Sequence, residues 1–133
     1  MPAGLGIYMM KSKLFGLAML GLAMGASLPA VAGGPGVYTV QGNNGEPDSD
    51  YKGTLTIVQT SKDTFKLTWN IAGEKYDGFA IGDERVMAAS FTSKGSSGTA
   101  LLVEDDDNKG AYKSIWAFKG DTHLGVELIV PRK

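Results

Sequence analysis

The chain has 133 residues, with 13 Lys and Arg against 14 Asp and Glu, one histidine and no cysteine. Without thiols there can be no disulfide, thiolate zinc site, cysteine nucleophile or lipidated cysteine anchor. A net charge of −1 with no basic cluster argues against nucleic acid and anionic membrane surfaces, which select concentrated Lys and Arg.

The N-terminal third reads first. Lys11 and Lys13 precede the apolar run LFGLAMLGLAMGASLPAVA, which ends in Ala30-Val31-Ala32. A basic head, an apolar middle and small residues at the exit predict a secretory signal peptide over residues 1–32. Gly16, Gly21, Gly25 and Pro29 interrupt the run, which falls short of the ~20 apolar residues of a spanning helix. Residues 1–8 add nothing a signal needs, so Met9 or Met10 could be the true start. Cleavage after Ala32 leaves residues 33–133 as one domain, and loss of Lys11 and Lys13 takes the charge from −1 to −3. The bacterial character of the signal points to the periplasm or the outside of the cell.

From Gly33 onward the pattern is period-two alternation, the mark of strands with one buried face. Strands are predicted at 36–42, 51–59, 64–72, 75–82, 85–92, 99–105, 110–119 and 123–130. In YKGTLTIVQ the inward set is Tyr51, Gly53, Leu55 and Ile57; in TFKLTWNIA it is Phe65, Leu67, Trp69 and Ile71. In the last strand, HLGVELIV, it is Leu124, Val126, Leu128 and Val130, leaving Glu127 outward. Gly-, Asn-, Asp- and Ser-rich segments separate the runs. Connections this short force antiparallel neighbours. The fold class expected is all-β, a small up-and-down antiparallel barrel of about eight strands, with a β-sandwich as the alternative. Gly53, Gly78 and Gly125 suit the bends and close approaches of a barrel. Short strands with lysines on the polar face do not fit a membrane-inserted barrel.

The stretch EDDDNKG, residues 104–110, invites a calcium-loop reading. Counted from Asp105, Gly110 is sixth as an EF-hand requires, but Lys109 occupies the fifth position and Trp116 the twelfth. Asn108-Lys109-Gly110 suits a hairpin turn, so the acids are expected to be a solvated connection and no metal site is assigned.

Catalytic candidates are sparse. His123 with Asp121 lacks a nucleophile elbow, and Asp77 and Glu127 alternate onto faces opposite the aromatic set, which argues against a carboxylate cleft. No catalytic residue and no cofactor is assigned. Trp69 and Trp116, with Tyr38, Tyr51, Tyr76 and Tyr112, lie in strands, and Tyr112, Trp116 and Phe118 share one face. That face is the barrel interior, which either packs solid, as large aromatics in a small barrel tend to, or lines a small cavity. In the second case Trp69, Tyr112, Trp116 and Phe118 are the candidate ligand-binding residues.

The segments GVYTVQGNN, YKGTLTI, FKLTWNIAGEKYDGFAIG and GVEL resemble a group of small secreted bacterial proteins patterned G-x-Y-x-V-x-G-x-N, Y-x-G, W-x-I-x-G and Y-x-G, some of which carry a fibronectin-binding label. The resemblance covers most of residues 36–127 and consists of turn and core positions, so it implies fold. Members carry G-x-W after the seventh-strand turn, where this chain has the shifted SIWAFKG. More distantly the layout resembles the calycins, with Gly36-Val37-Tyr38 where a lipocalin has G-x-W; no biotin-binding set maps onto these residues. The expected function is an exported, non-enzymatic binding or envelope-associated barrel. Its partner is either a small apolar ligand carried in the interior or a protein, as for an adhesin or inhibitor.

Overall fold

The computed structural model describes residues 33–132, so the signal peptide expected over residues 1–32 lies outside the described residues. Eight strands run in chain order: β1 Gly36–Asn43, β2 Asp50–Ser61, β3 Thr64–Ile71, β4 Glu74–Asp83, β5 Val86–Ser93, β6 Ser96–Glu104, β7 Tyr112–Phe118 and β8 Gly125–Pro131. Each pairs antiparallel with its sequence neighbours, and β1 pairs with β8, so the sheet is a closed up-and-down barrel. Closure leaves no unpaired edge, and the sandwich alternative falls away.

Turn chemistry sets the register. Ala72-Gly73 and Lys94-Gly95 both take positive φ (53° and 83°, 48° and 86°), the two-residue geometry that matches strand twist. The second turn is tighter than the Ser- and Gly-rich sequence 93–98 suggests. Two residues suffice, so Ser96, Ser97 and Gly98 join the ladder opposite Ser93, Thr92 and Phe91.

Inside, the barrel is filled at one end. Val40, Leu55, Ile57, Phe65, Leu67, Met87, Leu102 and Ile129 are buried almost completely. Tyr112 closes this end. Its hydroxyl donates to the Glu84 carbonyl at 2.7 Å and accepts from Gly34 N–H at 2.8 Å. Tyr38, 5.8 Å away between ring centroids, donates to the Gly34 carbonyl at 2.6 Å. Burial pushes the Tyr38 hydroxyl up to about 12, so both phenols keep their protons.

Two expectations are corrected. The alternation in β8 is the reverse of the one expected: Leu124, Val126 and Leu128 are exposed, while Gly125 and Ile129 are buried. Apolar residues occupy both parities of this strand, so periodicity could not choose. The neighbours choose, because Trp116 pairs with Gly125 and leaves no room for a side chain there. Glu127 is thereby turned inward.

The acidic connection between β6 and β7 is only partly solvated. Asp106 and Asp107 are exposed, but Asp105 is 7% exposed. Its Oδ1 accepts from Asp107 N–H at 3.0 Å and lies 3.8 Å from Lys113 Nζ. Asp105 therefore shapes the turn as a local cap.

Tyr112→Phe keeps the ring and removes one hydroxyl that serves two backbone groups. It should cost about 1–3 kcal/mol, read as a lowered midpoint in denaturant unfolding; an unchanged midpoint would show that the closed end does not depend on this hydroxyl.

Candidate functional site

At the other end the interior is not filled. The mouth is ringed by the turns at 72–73 and 94–95 and by the longer loops 44–49 and 119–124, which approach each other through His123 Nε2 and Glu46 Oε2 at 3.6 Å. Below it lies a cavity of about 230 Å³ bounded by Tyr51, Trp69, Tyr76, Phe91, Trp116 and Phe118, with Asn44, Ile71, Ala100 and Glu127 completing the wall.

Phe91 is the centre of the aromatic cluster. Its ring lies 5.8 Å from Trp69, 6.3 Å from Tyr76, 6.4 Å from Trp116 and 5.4 Å from Phe118. Most of these contacts are edge-on, the arrangement that ring quadrupoles favour.

The space exists because glycine faces aromatic across the sheet. Tyr51 is paired with Gly42, Phe91 with Gly98 and Trp116 with Gly125. A β-carbon at any of the three glycines would collide with the ring of its partner. Trp69 likewise comes within 2.8 Å of where a β-carbon on Gly78 would sit. The rings therefore lie against neighbouring strands and leave the lumen open.

Among the described residues, Glu127 is the only carboxylate on the cavity wall. Its Oε2 accepts from Tyr51 Oη at 2.7 Å and its Oε1 from Trp69 Nε1 at 3.2 Å. Burial pushes its pKa above the ordinary range, and the two donors only partly oppose that rise. Burial, followed by the adjacent Glu127 charge, pushes Tyr51 far up, so Tyr51 remains a donor. Each Glu127 oxygen has used one of its lone pairs. The buried Trp116 Nε1 lies near the Tyr51 hydroxyl but meets no acceptor in good hydrogen-bond geometry.

Of the four candidates named from sequence, Trp69, Trp116 and Phe118 come together on the cavity wall, whereas Tyr112 is not on it and forms the closed end. The expectation that Glu127 faces solvent is corrected by its contacts with Tyr51 and Trp69. Asp77 does face outward and lies 3.9 Å from Lys75. Asp121 does not orient His123; its Oδ2 accepts from Phe118 N–H at 3.0 Å. Phe91 does carry a signal in the sequence, since Met87, Ala89 and Phe91 alternate with exposed Ala88, Ser90 and Thr92.

The chain matches no protein-family model and no curated protein. Among solved structures it is similar to one described as EF1p2_mFAP2b bound to DFHBI, with a TM-score of 0.50 and 12% sequence identity over 74% of this chain and 93% of that one. At that identity the likeness is one of fold: a small closed β-barrel.

A carboxyl group with a raised folded-state pKa binds its proton more tightly folded than unfolded, so its contribution to stability declines as pH rises from its ordinary value of 4.5 through the raised one. Burial also raises Glu84 and Glu104, so the Glu127 share is isolated by comparison with Glu127→Gln. The melting midpoint of that variant should gain on wild type as pH rises across this window; a constant difference would place Glu127 in an environment like water.

Proposed function

We propose that the protein is an exported, non-enzymatic binding barrel that holds one small aromatic or apolar molecule in the open half of its lumen. The observation that carries this reading is the cavity itself, kept empty by glycines where a barrel built only for stability would place side chains. At about 230 Å³ it lies below the roughly 300–1,000 Å³ of sites for drug-sized molecules, so the ligand is a compact one. Aromatic walls supply stacking, and a few placed polar groups supply orientation. The solved barrel of similar fold is itself bound to DFHBI, which fits a carrying role.

A second reading, a protein-interaction module, draws on the outer surface. Ile81, Ala88, Leu101, Ile115 and Val126 form one cross-strand row over β4 to β8, and Phe79, Ile81 and Val126 are at least half exposed. The unfilled interior favours the ligand reading.

Phenol offers a one-ring probe. It should quench the fluorescence of Trp69 and Trp116 saturably with one site per chain, and Ala100→Leu, which fills the lumen from β6, should abolish this while leaving the fold intact. Linear, unsaturable quenching that is the same in both proteins would remove the ligand reading.

Export rests on the Lys11–Ala32 pattern and on the resemblance to secreted bacterial proteins. Cleavage after Ala32 would retain Gly34, whose N–H and carbonyl meet Tyr112 and Tyr38. N-terminal sequencing of protein recovered outside the cytoplasm should begin at Gly33; a sequence that retains the apolar run would refute processing.

A further inference from the structure

The cavity holds an acid and no base. Glu127 is its carboxylate, and among the described residues no Lys, Arg or His lines the wall. Both hydrogen bonds given to Glu127 come from neutral donors, Tyr51 and Trp69. They fix the carboxylate plane and orient the group but leave its negative charge uncompensated by any cation in the cavity. A buried carboxylate without a counter-charge is costly, and the cost is recovered when a positive group joins it. The surrounding wall is equally selective, since the faces of Trp, Tyr and Phe attract cations. Carboxylate and aromatic wall thus favour the same sign of charge.

We propose that the physiological ligand is a small organic cation with a flat or apolar body, whose charged N–H group pairs with Glu127 while its body lies among Trp69, Phe91 and Trp116. This rests on the reading of the lumen as a ligand site and narrows it to a chemical class. Tyr51 and Trp69 occupy one lone pair on each carboxylate oxygen, and a cation with two parallel N–H groups can take the remaining pair in forked geometry. An amidinium on a single ring matches both this geometry and the size of the cavity. An anionic or purely hydrocarbon ligand leaves Glu127 worse off than water does.

Benzamidine and benzamide are near-identical in shape and differ in charge, and both fit a one-ring site. Calorimetric titration of the wild-type protein with each should show benzamidine binding about tenfold or more tighter, the scale of a charge-assisted hydrogen bond. In Glu127→Gln that preference should vanish through loss of benzamidine affinity, with benzamide little changed. Equal affinities in wild type, or tighter benzamide, would overturn the cation proposal while leaving the lumen a ligand site. If neither compound binds and phenol also fails, the ligand site itself is refuted and the cation proposal falls with it. The wild-type comparison decides the matter even if Glu127→Gln does not fold.

Discussion

A sheet of eight strands closed on itself has one inside, and each inward residue either fills that space or borders it. Everything else in this structure depends on that constraint. Near the closed end the inward residues are large and aliphatic, or are tyrosines whose hydroxyls find backbone partners, and they meet in the middle. Near the mouth the same parity carries glycine opposite aromatic, and the rings lie back against the wall. The sequence thus sorts bulk along the barrel axis, and a cavity results at one end only.

Polar groups in such an interior must be accounted for one by one. Tyr112 and Tyr38 are satisfied at the closed end through Gly34 and Glu84. Near the mouth, Glu127 collects Tyr51 and Trp69, while Trp116 Nε1 is left without a partner among the described residues; Ser114 Oγ, likewise unpartnered, sits deeper, between Leu102 and Glu127 on the neighbouring strands. The Trp116 donor borders the unfilled half, where a ligand or water can serve it.

Strand number, order and most inward faces were legible because the β2 and β3 segments alternate cleanly and short turns dictate antiparallel neighbours. Parity in β8 was not, since Leu124, Val126, Leu128, Ile129 and Val130 place apolar residues on both faces. Only the partner strand, through Trp116 against Gly125, breaks that tie, and it is a long-range fact. The same tie hides the inward turn of Glu127, so the carboxylate of the cavity is not legible from sequence even though Trp69, Trp116 and Phe118 are. Tyr112 was grouped with Trp116 and Phe118 by parity alone. Shared parity fixes the side of a strand but not the depth along it, and the distance from Tyr112 to Phe118 spans the barrel from end to end. Asp105 illustrates a further limit: a run of acids looks uniform, yet one member is recruited to shape the turn.

The tyrosine-sealed base makes the barrel a cup and not a pipe. Whatever enters past the rim has to leave by the same doorway, and a newcomer has no rear entrance from which to push the occupant out. For a ligand bound as proposed, exchange would be sequential, with departure preceding arrival, and residence time would be set by the aromatic wall and by the loops that meet at Glu46 and His123. On the proposed carrying role, such a vessel would hold its ligand through dilution and release it only when the rim, or the solution outside, changes.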